Sequence, residues 1–587
     1  MIRIYLTAAI AALLLFATSA QSKESTATNA QPVLKASQTE TKEGWLAVLW
    51  GDPPAESGES VRHVYTLVDA RGNGQPISIS SSILAQSGGI DRLNGRYVKV
   101  VLSGKGSRDI PDIPNTLGLV EINAPADALY TNVGNIDRML SGSKPWITVT
   151  CQFPDIADQP RDVNYFQEMY DNLPGRLDDY WREVSHNNID IEGSLAIDWV
   201  ELPSPQSTYV PTPGSGQSAD LNRLFNDCVA AVDDVVDFSN GGTGGYEGIN
   251  LMFNSSLDCC AWGGSRFATL DGISKSWRTT WNPPFSYLNA GIIAHEMGHG
   301  FGLPHANNSD NDNSPYDSPW DVMSAARRNG VADPVYGSLG KHLNSYHKDR
   351  LGWIDESQRL TVGDNESVSV VIDPMDRDPI QNYRLVKIPV DGSSSDFYTI
   401  EVREVGGLYE AALPGNGEGD RLVIIHRVIQ NRSQPAWVID ADEPPATFSD
   451  NEGVMWREGE TFEDVENQIR VVVGPYTNTG VRVQVITGEK PANDVDQDGV
   501  SDDFDNCTNV DNPDQRDSNG DGYGNVCDAD LNNDGVINFI DFGLFYEVFL
   551  TDDQDADFNG DSAVNFLDFT IISYGFLGEP GPSGVAQ

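Results

Sequence analysis

Three histidines and one glutamate lie in a single short segment with the spacing of a metal site. The segment reads His295-Glu296-Met-Gly-His299-Gly-Phe-Gly302-Leu-Pro-His305. His295 and His299 are about one helical turn apart, so both imidazoles can face the same metal from one side of a helix. Gly302 can adopt a positive φ and end that helix, after which His305 can return to the metal from another direction. A tetrahedral Zn²⁺ held in this way keeps its fourth position for water.

Glu296 has the position expected of a general base in hydrolysis. It follows His295 directly, which places its carboxylate near the water and not on the metal. Bound zinc lowers the pKa of such a water towards ~7, so Glu296 would accept its proton and later return it to the leaving amine. The chain contains only eight histidines, and three of them fall in this segment. Solvated or core histidines on a helix are therefore the weaker interpretation.

The surrounding sequence predicts an α+β domain between β-rich regions. Residues 145–151 form an apolar run typical of a buried strand, and residues 163–184 have helical spacing that Pro174 and Gly175 interrupt. Residues 44–122 contain short alternating runs, which predict a small β domain. Residues 361–490 return to β-branched alternation and predict a β-sandwich. The expected fold class is a multidomain protein whose α+β domain is flanked by β domains.

Composition indicates an exported, acidic protein. Residues 1–20 combine a charged start, an apolar run and small residues, as in a secretory signal peptide, and we expect no membrane span in the mature chain. The net charge of −49 argues against a nucleic-acid partner and favours divalent cations. The six cysteines are an even number in an exported chain, which favours disulfides. The sequence leaves the pairing of Cys151, Cys228, Cys259 and Cys260 open.

The acidic C-terminal region predicts calcium binding. Four windows place side-chain oxygens at the EF-hand positions one, three, five, nine and twelve. The predicted ligands are Asp494, Asp496, Asp498, Asp502 and Asp505; Asp517, Asn519, Asp521, Asn525 and Asp528; Asp530, Asn532, Asp534, Asn538 and Asp541; and Asp557, Asn559, Asp561, Asn565 and Asp568. Ser562 replaces the turn glycine of the fourth window, which would weaken that site. A solvated acidic linker is the alternative, but it would not repeat these offsets.

The histidine segment resembles the signature of the metzincin zinc peptidases, in which a methionine-containing turn follows the third histidine. Asp321-Val-Met323-Ser matches that turn, and the resemblance implies that Met323 forms an apolar floor under the imidazoles. The surrounding segments 260–264 and 318–324 are similar to the gametolysin-like and immune inhibitor A-like secreted peptidases. Two features depart from metzincin patterns. Ala325 stands where some metzincins have a tyrosine ligand, and residues 21–144 contain no cysteine, so a propeptide there would have to block the site in another way.

The C-terminal windows resemble two kinds of calcium module. Residues 491–528 are similar to thrombospondin type 3 repeats, which implies a Cys507–Cys527 disulfide. Residues 529–580 contain an internal duplication that resembles a dockerin domain. This second resemblance implies a cohesin-like partner or a surface to which the tail attaches.

The sequence thus predicts a secreted zinc metalloendopeptidase with bound calcium. Its predicted domains are a signal peptide (1–20), a leader and β domain that is a candidate propeptide (21–144), a metzincin-like catalytic domain (145–360), a β-sandwich (361–490) and the two calcium modules (491–528 and 529–580). The resemblance implies protein substrates, with extracellular matrix or cell-wall glycoproteins as the suggested class. Two alternatives stay open: a calcium-dependent adhesion or scaffold protein with an inert peptidase-like domain, and a zinc hydrolase that acts on a non-peptide bond.

Overall fold

The computed structural model describes residues 39–54, 57, 59–103, 113–124, 139–214, 219–239, 245–309, 314–440, 454–488, 493–496, 498–512, 515–561 and 563–586. The predicted signal peptide, the leader before Thr39 and the substitution at Ser562 lie outside the described residues. The chain is 19% helix and 30% strand in several sheets. These values confirm the prediction of a multidomain protein with both α and β structure, while the domain boundaries stay predictions.

The N-terminal region is a β domain with two short helices. Alternation in the sequence buries one face of its strands, as in Tyr97–Ser103, where Val98, Val100 and Leu102 all lie in the core. Its elements are β1 (Thr39–Asp52), β2 (Arg62–Val68), β3 (Gly74–Ile77), α1 (Ser81–Gln86), α2 (Ile90–Leu93), β4 (Tyr97–Ser103) and β5 (Thr116–Glu121).

The central region alternates strands and helices. Gly175, with a φ of +80°, separates its first two helices where the sequence predicted an interruption. Its strands are β6 (Gly142–Ser143), β7 (Trp146–Gln152), β8 (Ile189–Asp190), β9 (Leu195–Glu201), β10 (Gly248–Phe253), β11 (Ala261–Leu270), β12 (Ile273–Asn282), β13 (Asn307–Asn308), β14 (Ala332–Asp333) and β15 (Gly337–Ser338). Its helices are α3 (Val163–Met169), α4 (Leu177–Val184), α5 (Gln206–Tyr209), α6 (Leu221–Val232), α7 (Pro284–Tyr287), α8 (Ala290–Gly300) and α9 (Ser345–Arg350).

One sheet joins the N-terminal and central regions. Its strand order is β3-β2-β1-β11-β12-β10-β7-β9, and β4 and β5 extend it from β1. Neighbouring strands pair in parallel from β12 through β10 and β7 to β9. Strand β11 pairs antiparallel with both β1 and β12. Both faces of the parallel part are covered, which explains why β7 is buried along almost its whole length. Trp146 packs with α4 and α8 on one face, and Ile147 packs with α6 on the other.

The strands after α9, together with β13, form two packed sheets. The orders are β13-β21-β20-β19-β18-β16 and β17-β24-β23-β22, and Ile400 and Ile425 of the first sheet share a core with Val471 and Val483 of the second. The strands are β16 (Arg359–Thr361), β17 (Ser367–Ile372), β18 (Leu385–Pro389), β19 (Asp396–Glu404), β20 (Arg421–Ile429), β21 (Ala436–Val438), β22 (Thr461–Asp464), β23 (Ile469–Tyr476) and β24 (Val481–Thr487).

The C-terminal tail is built from loops and two helices, α10 (Phe539–Glu547) and α11 (Phe566–Gly575). Asn538 and Asn565 cap these helices in reciprocal capping boxes, which follows from the duplicated sequence. The apolar core between the helices is small and includes Phe545 and Ile572. A tail with so little apolar core needs another source of stability.

All six cysteines are paired. The disulfides are Cys151–Cys228, Cys259–Cys260 and Cys507–Cys527, with S–S distances of 2.14, 1.97 and 2.03 Å. The third pair confirms the one that the thrombospondin resemblance implied, and the first two answer a question that the sequence left open. No helix in the described part of the chain is long and apolar enough to cross a membrane.

Candidate metal and catalytic site

Helix α8 presents the two histidines of its motif and then stops. The helix runs from Ala290 to Gly300, and Gly302 follows with a φ of +92°. The Leu303 amide donates to the Gly298 carbonyl at 3.0 Å, which closes the helix end. This is the turn that the sequence predicted at Gly302, and it directs the chain so that His305 reaches the other two histidines.

The three imidazoles converge on one point. His295 Nε2 lies 3.1 Å from His299 Nε2 and 3.3 Å from His305 Nε2. All three side chains are buried, with exposures of 1–2%. Tetrahedral zinc with Zn–N distances of about 2.0–2.1 Å separates its ligand nitrogens by about 3.3–3.4 Å. The observed spacing therefore fits a single ion of this kind.

Hydrogen bonds on the opposite ring nitrogens orient two of these ligands. His295 Nδ1 lies 2.7 Å from the Val322 carbonyl, and His299 Nδ1 lies 2.8 Å from the Leu303 carbonyl. Each Nδ1 must donate to its carbonyl, so each Nε2 carries the free lone pair that points at the shared centre. Burial lowers the pKa of His299 to about 3, which keeps its imidazole neutral near pH 7. Converging lone pairs repel one another unless a cation lies between them, so the donor set fits zinc.

Glu296 is buried beside this centre without a hydrogen-bonding partner. Its exposure is 0%, and neither carboxylate oxygen has a partner in the described structure. Burial, and then the charge of Asp52, raises the pKa of Glu296 well above its usual value. A carboxylate in these surroundings is suited to exchange a proton with a nearby water.

Met323 packs against helix α8 at Gly298. A Cβ atom on Gly298 would lie 2.4 Å from Met323 Sδ, so the thioether packs directly against the backbone of the helix. The segment around Met323 is held by Asp321, whose Oδ1 accepts from the Met323 amide at 2.6 Å. Asp321 Oδ2 also accepts from the Asn344 amide at 2.9 Å. The turn therefore supports the helix and supplies the Val322 carbonyl that orients His295.

Asp52 is a site residue that the sequence analysis missed. Asp52 Oδ1 lies 2.8 Å from His305 Nε2, and Oδ2 lies 3.2 Å from His299 Nε2 and 3.6 Å from His295 Nε2. These four side chains form the one group of histidines and carboxylates in the described residues that is buried throughout and could hold a metal. Burial opposes ionisation of Asp52, but the charge of His305, together with hydrogen bonds from the three histidines, outweighs it and holds the pKa of the Asp52 carboxyl well below its usual value.

Two aromatic residues enclose the same centre and were also missed. The Trp50 indole stacks on the His299 imidazole, with ring centroids 4.8 Å apart and an interplanar angle of 3°. The Tyr316 hydroxyl donates to Asp52 Oδ1 at 2.6 Å. The sequence contains only a weak signal for Asp52. It is a polar residue that ends an apolar run, and Pro53-Pro54 follows it.

A cavity of about 510 Å³ opens beside the histidines. His295 and Glu296 line its inner end, together with Asp52. Ala325, Ala326 and the chain that follows them form much of its wall. The cavity is large enough to hold an amino-acid side chain next to the three histidines.

The predicted calcium ligands are brought together unevenly. Three carboxylates lie within 4.8 Å of one another in the first window and again in the fourth, namely Asp494, Asp496 and Asp498, and Asp557, Asp561 and Asp568. The second and third windows form no such trio among the described residues. Their loops are nevertheless closed in the same way, since Asp517 accepts from the Gly522 amide at 2.9 Å and Asp530 accepts from the Gly535 amide.

The two modules also differ at the twelfth position. In the third and fourth windows, Asp541 and Asp568 each accept two backbone amides, at 2.7–3.2 Å and 2.8–3.1 Å. These bonds hold each carboxylate against its own loop. In the first window Asp505 accepts one backbone amide, that of Cys507 at 2.7 Å, and the Gln515 side chain at 2.8 Å. The four loops are therefore preformed to different degrees.

Comparison with known proteins does not assign a family. No protein-family model matches the chain, and no curated protein matches it.

Proposed function

We propose that this chain is a secreted zinc endopeptidase of the metzincin type that hydrolyses extracellular proteins. The observation that carries the proposal is the convergence of the three imidazole Nε2 atoms beside the buried, unpartnered carboxylate of Glu296. A binding module needs neither a buried glutamate without a partner nor an adjoining cavity. The same constellation is what metal-assisted hydrolysis requires.

The residues of the site have separate tasks in this proposal. His295, His299 and His305 hold the ion, and the Val322 and Leu303 carbonyls keep the first two imidazoles in the ligating tautomer. When bound, Zn²⁺ acidifies a water and polarises the scissile carbonyl. Glu296 accepts the proton of the attacking water and delivers it to the nitrogen of the leaving amine. The cavity beside Glu296 holds the substrate side chain next to the cleaved bond.

We also propose that calcium stabilises the tail. The carboxylates of the first and fourth windows cluster closely enough to repel one another, and a bound divalent cation would offset that repulsion. The cohesin-like partner that the dockerin resemblance implies stays a proposal of the same kind. Extracellular matrix or cell-wall glycoproteins are the substrate class that the gametolysin likeness suggests.

The function is tested by replacing the general base without disturbing the metal. Glu296→Ala is compared with wild type and with Glu201→Ala, an exposed glutamate at the end of β9. Zinc content and cleavage of casein and gelatin are measured on the same samples. Each sample is assayed as purified and after limited trypsin treatment that is then stopped with a serine-protease inhibitor.

The proposal expects that all three proteins carry about one zinc, because Glu296 is not a ligand. Cleavage by Glu296→Ala should fall at least about a hundredfold, whereas Glu201→Ala should match wild type. If wild type binds zinc and cuts neither protein before or after trypsin, the inert scaffold or the non-peptide hydrolase becomes the better account.

A further inference from the structure

The N-terminal strand β1 is part of the sheet that borders the metal centre. Its last residues pair antiparallel with β11, with Leu49 opposite Gly264 and Asp52 opposite Ala261. Strand β11 lies directly against the metal-binding helix, since a Cβ on Gly263 would be 2.5 Å from the Glu296 carbonyl oxygen. The edge of β11 that could pair with an extended peptide beside the metal is therefore already occupied by β1.

The same strand also fills the open position of the metal site. Asp52 ends β1, and its two carboxylate oxygens face all three histidine Nε2 atoms at 2.8–3.6 Å. Catalytic zinc sites use three protein ligands and keep one position for water, whereas sites with four protein ligands are closed. With Asp52 in place, the donor set of this protein is of the closed kind.

Neighbouring contacts hold Asp52 at this position. Tyr316 donates to its Oδ1, and Trp50, with an exposure of 0%, covers His299 two residues earlier in the strand. Pro53 and Pro54 then continue into the cavity beside Glu296. Strand β1 therefore covers the three histidines and occupies the edge of β11. The residues at its end also line the cavity.

The N-terminal domain is fixed to the rest of the chain at a second point. Asp91 accepts from Arg350 at 2.9 Å and from the Tyr346 hydroxyl at 2.5 Å, and its exposure is 1%. Arg350 belongs to helix α9, away from the metal ligands in sequence. Displacement of β1 therefore requires loss of an interface and not only rotation of one side chain.

We propose that β1 is an autoinhibitory strand, in which Asp52 is the fourth ligand of the metal and blocks both water and an extended polypeptide substrate until the strand is displaced. This inference rests on the proposed function, because inhibition presupposes a catalytic site. It explains how the N-terminal region could silence the site without a cysteine. The competing account is a permanent structural site in which Asp52 is required for the metal to bind.

The test uses the full-length protein with Co²⁺ in place of zinc, because Co²⁺ reports its ligands through its visible spectrum. Wild type is compared with Asp52→Ala and with Asp69→Ala. Asp69 is a matched control because it belongs to the same domain. Among the described residues its side chain bonds only within its own turn, to the amides of Arg71 and Asn73 and to the Asn73 side chain. Acetohydroxamate is the small probe, since it can bind the ion only where a ligand position is open. Casein cleavage is measured on the same samples with zinc.

The inference expects Asp52→Ala to bind one Co²⁺ with an altered spectrum and to bind acetohydroxamate at least about tenfold more tightly than wild type. Asp69→Ala should match wild type in both respects. Equal acetohydroxamate affinity in wild type and Asp52→Ala would overturn the inference and leave the zinc site intact. Loss of Co²⁺ from Asp52→Ala would also overturn it, in favour of the structural site.

Failure of the proposed function gives a different result. In that case the spectrum and the acetohydroxamate affinity change as expected in Asp52→Ala, but casein is cut neither by this variant nor by any trypsin-treated sample. The ligand role of Asp52 and the peptidase activity are thus separated by one set of samples.

Discussion

At the scale of single residues, the site depends on close approach of backbone as much as on ligands. Gly263 of β11 and Gly298 of α8 both lie where a Cβ would overlap a neighbour: Glu296 and His299 for the first, Met323 for the second. The glycines let a strand and a turn enclose the metal helix from two sides. The ligand histidines are thereby held in fixed positions before any ion binds.

Gly263→Ala should damage the site although residue 263 has no chemical role. The added Cβ would lie 2.5 Å from the Glu296 carbonyl oxygen and 2.8 Å from both Glu296 Oε2 and His299 Cβ. Relief of the contact with the backbone oxygen requires the main chain of the helix to shift. The free energy of unfolding should therefore fall by about 1–3 kcal/mol, and the zinc affinity should fall with it. Urea unfolding and competitive zinc titration measure both quantities.

Gly118→Ala is the control, because its Cβ in β5 would meet nothing within 4 Å. This variant should keep the stability and the zinc affinity of wild type. If Gly263→Ala behaved like Gly118→Ala in both assays, the close packing of β11 on α8 would not matter for the site.

At the scale of elements, local signals were readable from the sequence and long-range pairing was not. The spacing of His295 and His299 and the freedom of Gly302 predicted the end of α8, because both are properties of neighbouring residues. Asp52 and His305 are 253 positions apart, and no periodicity links β1 to β11. Their pairing follows from how the whole sheet is assembled, so the fourth donor appeared only in the structure.

The calcium loops are elements whose stability we expect to depend on an ion. Residues 493–586 have a small apolar core and many clustered carboxylates. Removal of calcium with a calcium-selective chelator, with zinc kept bound, should therefore loosen α10 and α11 while the sheets of residues 39–488 stay protected. Hydrogen exchange read by mass spectrometry measures both regions in one experiment.

Readdition of calcium should restore the protection of α10 and α11, and magnesium at the same concentration serves as the comparison ion. Magnesium demands a smaller octahedral site and should protect these helices less. Unchanged exchange in the tail after complete calcium removal would contradict the proposed calcium binding.

At the scale of the whole molecule, one continuous sheet couples the N-terminal region to the metal centre. The sequence predicted separate N-terminal and catalytic domains, whereas β1 is hydrogen-bonded between β2 and β11. The six-stranded sheet of the C-terminal half is linked to the site as well, because β13, just after His305, pairs with β21. The metal site therefore lies where three regions of the chain meet, and a change in any of them can reach it.

The central claim is that three imidazoles of this chain hold one metal ion, and zinc X-ray absorption of the purified protein in calcium-containing buffer tests it most directly. The account predicts about one zinc per chain with three imidazole nitrogens and one oxygen at about 2.0–2.1 Å. One imidazole should be lost in His305→Ala. A spectrum of wild type with fewer than three imidazoles, or a protein that retains no zinc, would contradict the account.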